Sequence, residues 1–184
     1  MRNRIIAATV EEINLRGFKF TMSDLTKRLS ISKTSLYEQF SSKDELVATI
    51  LDIVLNDLWT QEQKIYTSDL SIVEKLKAVL TVKQDRFEPF HNRVYEDLRL
   101  TYPREWEKVT QFRKKRMKHL TDLLQEGVVQ GRIRPVNMAV VQQMIESTIN
   151  DLINYQFLSE NNMTYSDAVA VMIDVIIKGI MAKE

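Results

Sequence analysis

Five polar side chains between Lys33 and Gln39 have the types and spacing needed to hydrogen-bond the floor of a DNA groove. Lysine donates to guanine O6 and N7 or to phosphate, serine and threonine reach base edges or the thymine methyl, and glutamine pairs with adenine. The five residues are Lys33, Thr34, Ser35, Tyr37 and Gln39. The alternative interpretation is that they only cap a short helix and face solvent.

The elements that must position these side chains are predicted from the segment Thr21 to Leu46. It has the pattern of two short helices, a tight turn and the start of a third helix, as in a helix-turn-helix. Thr21 with Asp24, and Ser42 with Glu45, have the spacing of helix N-terminal caps. Ser32 is the expected cap of the middle helix, Lys33 to Gln39. The shared core of the crossing helices is predicted to contain Leu25, Leu29, Ile31, Leu36 and Phe40.

Three further residues are weighed as contacts around this helix. Lys43 is expected to reach a phosphate beside the free amides of the next helix, and Thr21 and Ser23 are weaker candidates of the same kind. Tyr37 is expected to bury its ring against Phe40 and extend its hydroxyl towards a phosphate. Glu38 places an acid on the same helix, where it either accepts from cytosine or points away from the DNA.

The segment resembles the N-terminal domain of the TetR family of bacterial one-component regulators. The resemblance covers roughly the first 50 residues and rests on Phe20, Thr21, Leu25, Leu29 to Ser32, Leu36, Tyr37, Phe40, Lys43 and Leu46. It implies a reader domain, a helical body with an effector pocket, and dimerisation. Ser30 departs from the family pattern, which has glycine in the turn, and a non-glycine residue in a left-handed conformation costs roughly 1–2 kcal/mol.

Composition favours a single class of fold. The chain has 184 residues, 44% of them apolar, with only four Gly and three Pro, which indicates long helices and an all-α protein of about nine helices. It has no Cys, which excludes a disulfide scaffold and is compatible with the reducing cytoplasm. The stretch from Ala168 to Met181 is too short for a membrane span. We therefore expect a soluble, cytoplasmic protein.

Two domains are predicted, with a helix joining them. Residues 1–48 form the DNA-binding domain, residues 43–66 the connecting helix, and residues 49–184 the effector-binding and dimerisation domain. Residues 1–48 hold eight basic and six acidic side chains, a net charge of only +2, so tight DNA binding requires two copies. The other expected helices are Asn3–Arg16 with a left-handed cap at Gly17, Ile72–Phe87, Phe90–Tyr102, Pro103–Gln130, Met138–Leu158 and Ser166–Met181.

The last two helices are apolar on almost every side, which indicates burial against more than one neighbour. We predict that they form a four-helix dimer interface with a second copy of the chain. The alternative is a central core helix. The residues assigned to the interface are Val141, Ile145, Ile149, Leu152, Val169, Ile173, Ile176 and Ile177.

Aromatic and methionine side chains cluster in the second domain and are typical of an adaptable apolar pocket. The predicted lining is Phe90, Tyr95, Tyr102, Trp106, Phe112, Met117, Met144 and Tyr155, although plain core is the alternative for each. The basic run Arg113 to Lys118 is interpreted as a solvated helix face. His91 and His119 are too few and too far apart for a metal site, and no cofactor or catalytic motif is recognisable.

These observations predict a dimeric, sequence-specific DNA-binding regulator. It is expected to repress from a pseudo-palindromic operator and to be released by a small apolar or amphipathic effector. A protein that keeps this fold but acts through a protein partner is the alternative, motivated by Ser30, Glu38 and the small charge excess. An enzyme is not expected.

Overall fold

The computed structural model describes residues 1–82, 92–153 and 155–182. Within these ranges the chain forms ten α-helices and no strands, which confirms the all-α prediction. The helices are α1 Arg2–Arg16, α2 Met22–Leu29, α3 Lys33–Tyr37, α4 Lys43–Tyr66, α5 Ile72–Thr81, α6 Asn92–Thr101, α7 Pro103–Val129, α8 Met138–Ile153, α9 Tyr155–Glu160 and α10 Tyr165–Ile180. Among the described helices, none is both long and apolar enough to cross a membrane.

The described chain forms two compact units. The first contains residues 1–58 and 92–109, and the second contains residues 59–82 and 110–182. This grouping differs from the predicted division at residue 48, because Val94 and Leu98 of α6 and Val109 of α7 pack into the N-terminal core.

The core of the first unit is built on the buried face of α1. Ile5, Thr9 and Ile13 recur one turn apart and are all but inaccessible to solvent, as their helical spacing predicts. The Thr9 hydroxyl donates to the Ile5 carbonyl at 2.7 Å, so this buried polar group is satisfied within the helix.

Helix α1 ends at Arg16 with Gly17 as its C-cap, and a 3₁₀ turn, Gly17–Lys19, follows. The prediction of a left-handed cap is only half right, since Gly17 has φ 63° but ψ −149°. That combination lies at the border of a region that essentially only glycine adopts. Phe18 then packs edge-on against Tyr102, with ring centroids 5.1 Å apart.

Several predicted helix ends differ from the structure. The middle helix of the helix-turn-helix stops at Tyr37 rather than Gln39. Where one helix from Met138 to Leu158 was expected, the structure has two, α8 and α9. Helix α5 ends at Thr81, and the remainder of its predicted range, from residue 83 to Phe87, lies outside the described residues.

The core of the second unit contains most of the residues predicted for the dimer interface, and their place in an interface stays a prediction. Seven of the eight, all except the partly buried Ile149, are buried among residues of the same chain. The large apolar side chains that are more than half exposed on the described parts of α8 and α10 are Val140, Met144, Val171 and Val175, whose exposed fractions run from 53% to 65%. The nearly continuous apolar sequence of these helices conceals which of their faces is buried within the chain.

Candidate nucleic-acid interface

Two helix caps fix the position of the short helix α3 and its neighbour. The Thr21 hydroxyl accepts from the Asp24 amide, and the Asp24 carboxylate accepts from the Thr21 amide at 2.8 Å. The hydrogen bonds from Thr21 lower the pKa of Asp24, which therefore stays ionised at neutral pH. The Ser32 hydroxyl accepts from the Ser35 amide at 2.9 Å and so starts α3. Both caps are those that the sequence predicts.

The third predicted cap is present in altered form. The Ser42 hydroxyl accepts from the Glu45 amide at 3.0 Å. The Glu45 carboxylate, however, accepts from the amide and hydroxyl of Ser41, both at 2.7 Å, rather than from Ser42. The Glu45 carboxylate thus accepts from the amide that lies one residue before the expected one.

The turn between α2 and α3 is left-handed at Ser30, with φ 53° and ψ 46°. The serine therefore adopts the conformation that glycine would adopt more easily. Ile31 donates to the Thr26 carbonyl at 3.1 Å and packs against the first core, which holds the turn in place.

A cleft of about 410 Å³ lies beside α3 and brings together five of the predicted DNA contacts. These are Thr21, Ser23, Lys33, Tyr37 and Lys43. Lys19 lines the same cleft and was missed from the sequence, although it lies two residues before the Thr21 cap. Three lysines around one concave surface, next to a groove-sized helix, are suited to binding phosphate.

The lysines of the cleft differ in their exposure and in their contacts with the rest of the chain. Lys33 is exposed in the first turn of α3. Lys43 donates to the Phe18 carbonyl, and its ammonium lies 4.5 Å from the centroid of the Phe20 ring. Burial lowers the pKa of Lys43. Its predicted phosphate contact stays a prediction, and it competes with these two internal contacts.

The remaining predicted contacts lie outside the lining of the cleft. Thr34 is exposed, and the Ser35 hydroxyl accepts from Ser32 at 2.9 Å. The Gln39 carbonyl accepts from Arg2, whose guanidinium lies 4.0 Å from the centroid of the Phe40 ring. Tyr37, by contrast, lines the cleft and is 50% exposed. Their roles in reading DNA stay predictions.

Ion pairs and a tyrosine brace the back of the helix-turn-helix. Arg28 of α2 donates to Glu11 and to the buried Glu12 of α1, each at 2.6 Å. Tyr102, just before α7, forms a hydrogen bond with the side chain of Asp44 in the first turn of α4. Burial is the larger cause and Asp44 the smaller one of a rise in the pKa of Tyr102 to about 12. The helices on either side of α3 are therefore fixed to their neighbours, which is the support that precise base contact would require.

The predicted effector-pocket residues are divided between the two units. Tyr102 and Trp106 pack against the first core, and Met117 packs against the second. Met144 is 53% exposed and lines a shallow surface depression on α8. Phe90 and the side chain of Tyr155 lie outside the described residues. The pocket as a set of eight residues stays a prediction.

One interpretation of the basic run is wrong. Arg116 does not belong to a solvated face, since its guanidinium pairs with Glu62, a fully buried carboxylate of α4. The two residues are 54 positions apart, so the sequence alone offered no signal for the pair.

The fold and the cleft define the class of protein: a helix-turn-helix DNA-binding regulator. Comparison with known proteins agrees. Residues 5–50 match the family described as bacterial regulatory proteins, tetR family. An uncharacterized HTH-type transcriptional regulator, YvaF of Bacillus subtilis, is 30% identical over the whole of this chain and 97% of its own length.

Two further relatives are similar over most of their length. The HTH-type transcriptional repressor KstR2 of Mycolicibacterium smegmatis is 32% identical, over 72% of this chain and 68% of its own. The structure of the ketosteroid transcriptional regulator KstR2 of Mycobacterium tuberculosis has a TM-score of 0.74 at 21% identity, covering 99% of this chain and 95% of that one. The chain belongs to the TetR family of transcriptional regulators and is not an enzyme.

Proposed function

We propose that the protein is a homodimeric repressor that works in the cytoplasm, binds a pseudo-palindromic operator and dissociates when a small apolar or amphipathic effector binds. The observation that carries the proposal is the cleft of Lys19, Lys33 and Lys43 beside a capped, braced α3. It supplies phosphate contacts next to a helix with exposed polar side chains, which is the arrangement that reads a major groove.

Two exposed apolar stripes support dimerisation. Val140 and Met144 lie one turn apart on α8, and Val171 and Val175 lie one turn apart on α10. Helices α8 and α10 pack against each other within the second unit. A second copy that covers these stripes would present two recognition helices and double the phosphate contacts, which compensates for the small charge of each reader.

The relatives' names support repression and the class of effector. The mycobacterial relative is named a repressor, and the structural neighbour is named a ketosteroid regulator. A ketosteroid is an apolar molecule with few polar atoms, which agrees with the class proposed here. An effector controls DNA binding only through its different affinities for the two states of the protein.

The first test is binding to DNA from around the protein's own gene, titrated against nonspecific competitor at several salt concentrations. We expect a saturable complex with two protomers. Lys33→Ala should weaken the complex roughly tenfold. It should also make the fall of log affinity with log salt shallower, by roughly two in slope or about one per copy. Lys64→Ala, an exposed lysine of α4, is the matched control.

The same variants test the alternative of a protein-partner module. If Lys33→Ala and Lys64→Ala bind DNA equally well, or if the wild-type protein binds only in a weak, salt-labile manner, DNA reading through α3 is wrong. A partner-binding role would then be the better explanation of the exposed Glu38 that follows α3.

A further inference from the structure

Two stripes of side chains face each other inside the second unit. Trp59, Glu62 and Tyr66 lie on one side of the last turns of α4, and Arg116 and His119 lie on α7. The His119 ring is 5.2 Å from the Trp59 ring and 5.4 Å from the Tyr66 ring, measured between centroids. The stripes therefore form one aromatic and polar cluster.

The charges of Glu62 and Arg116 cancel each other, and Lys115 adds an ammonium 3.4 Å from the centroid of the Trp59 ring. Glu62 is fully buried, and its Oε1 accepts from Arg116 Nε. Arg116 also donates through Nη2 to the Val79 carbonyl at 3.3 Å. A buried carboxylate of this kind is tolerated because its counter-ion is in place. The pair is neutral as a whole and Lys115 is already cationic, so a further ammonium here would be uncompensated.

Two oxygen atoms of the cluster have no hydrogen-bond partner within the described residues. They are Oε2 of Glu62 and the hydroxyl of Tyr66, both buried. Since the two residues are four positions apart on one helix, their side chains are neighbours. Burial raises the pKa of Tyr66, and the charge of Glu62 adds to this effect, so the phenol stays protonated and able to donate. Buried oxygens without partners are rare in native proteins and call for an explanation.

We propose that Glu62 and Tyr66 bind the hydroxyl group of a neutral amphipathic effector, which donates to Glu62 Oε2 and accepts from Tyr66. The proposal deepens the effector-controlled function proposed above and rests on it. A hydroxyl is both donor and acceptor, so one group satisfies both oxygens. An ammonium would leave the neutral ion pair with an excess charge, and a carboxylate would face Glu62. The flanking rings of Trp59, Tyr66 and His119 suit the apolar part of such a molecule.

Three eight-carbon probes that differ only in the head group test this assignment: 1-octanol, octanoate and octylammonium. The chain has two tryptophans, so Trp106→Phe leaves Trp59 as the only tryptophan reporter. In this background we expect 1-octanol to change Trp59 fluorescence saturably, with affinity at least tenfold above that of the two charged probes. Tyr66→Phe should weaken octanol binding about fivefold, the effect of one lost hydrogen bond. Tyr37→Phe, a tyrosine of the first unit, is the matched control and should leave the affinity for 1-octanol unchanged.

The melting temperature of Tyr66→Phe distinguishes a binding role from a folding defect. Because the hydroxyl has no partner in the described structure, its removal should leave the melting temperature unchanged or raise it. Equal octanol affinity in the wild type and Tyr66→Phe overturns the proposal, as does tighter binding of a charged probe or an unchanged Trp59 signal with all three. Octanol binding tests only the site at Glu62 and Tyr66, whereas operator binding tests the regulator function. Failure of one proposal can therefore be distinguished from failure of the other.

Discussion

At the scale of single residues, Ser30 has a strained backbone conformation in the turn of the helix-turn-helix. Its left-handed backbone, φ 53° and ψ 46°, lies between two helices that must cross. The hydrogen bond from Ile31 to Thr26 and the packing of Ile31 fix that crossing. The strain is therefore offset by contacts that a glycine would make equally well.

Replacing Ser30 with glycine should stabilise the protein by about 1 kcal/mol, because glycine adopts the left-handed conformation with little penalty but is more flexible when unfolded. The midpoint of urea unfolding measures the change. Ser32→Gly is the matched control, since Ser32 has an extended backbone and its hydroxyl caps α3. A Ser30→Gly protein that is no more stable than the wild type would show that the turn is unstrained.

The sequence predicted local features well and distant ones poorly. Thr21 with Asp24 and Ser32 with Ser35 are three residues apart, so their caps follow from spacing alone. The pair of Glu62 and Arg116 joins α4 to α7 across 54 positions. Only the packing of the whole unit brings those two side chains together, so charge patterning along α7 pointed to solvent instead.

At the scale of elements, the junction of α1 and the following turn depends on Gly17. Its φ of 63° and ψ of −149° are accessible essentially only to glycine. A Cβ at this position would overlap Oδ2 of Asp97, on α6. The backbone thus opposes a side chain here, and the Asp97 carboxylate would have to move to make room for one.

Gly17→Ala should destabilise the protein by at least about 2 kcal/mol, the sum of the backbone penalty and displacement of Asp97 from its rotamer. Gly131→Ala is the matched control: Gly131 has φ 69°, and a Cβ added there would meet no atom of the described residues within 4 Å. It should lose roughly 1 kcal/mol less than Gly17→Ala. Calorimetry of both variants measures the difference, and equal losses would contradict the role of Asp97.

At the scale of the whole molecule, the weak charge of the reader domain and the exposed stripes of α8 and α10 lead to the same requirement. A net charge of +2 over residues 1–48 provides little electrostatic affinity for DNA, so a single copy is expected to bind DNA weakly. Apolar side chains that recur one turn apart on two packed helices are typical of a surface that another protein covers. Dimerisation would double the DNA contacts and would also cover the exposed stripes of α8 and α10.

Val175 and Ile176 are adjacent in sequence, yet Val175 is 65% exposed and Ile176 is 9% exposed, so the pair separates interface from core. Val175→Asp should give a folded monomer by analytical ultracentrifugation and bind operator DNA at least tenfold more weakly, since one reader lacks its symmetric partner. Ile176→Asp should instead unfold the second unit, because it buries an unpaired charge. Val129→Asp, at a residue that is 88% exposed on α7, should remain dimeric and bind normally. A Val175→Asp protein that sediments as a dimer would place the interface elsewhere on the molecule.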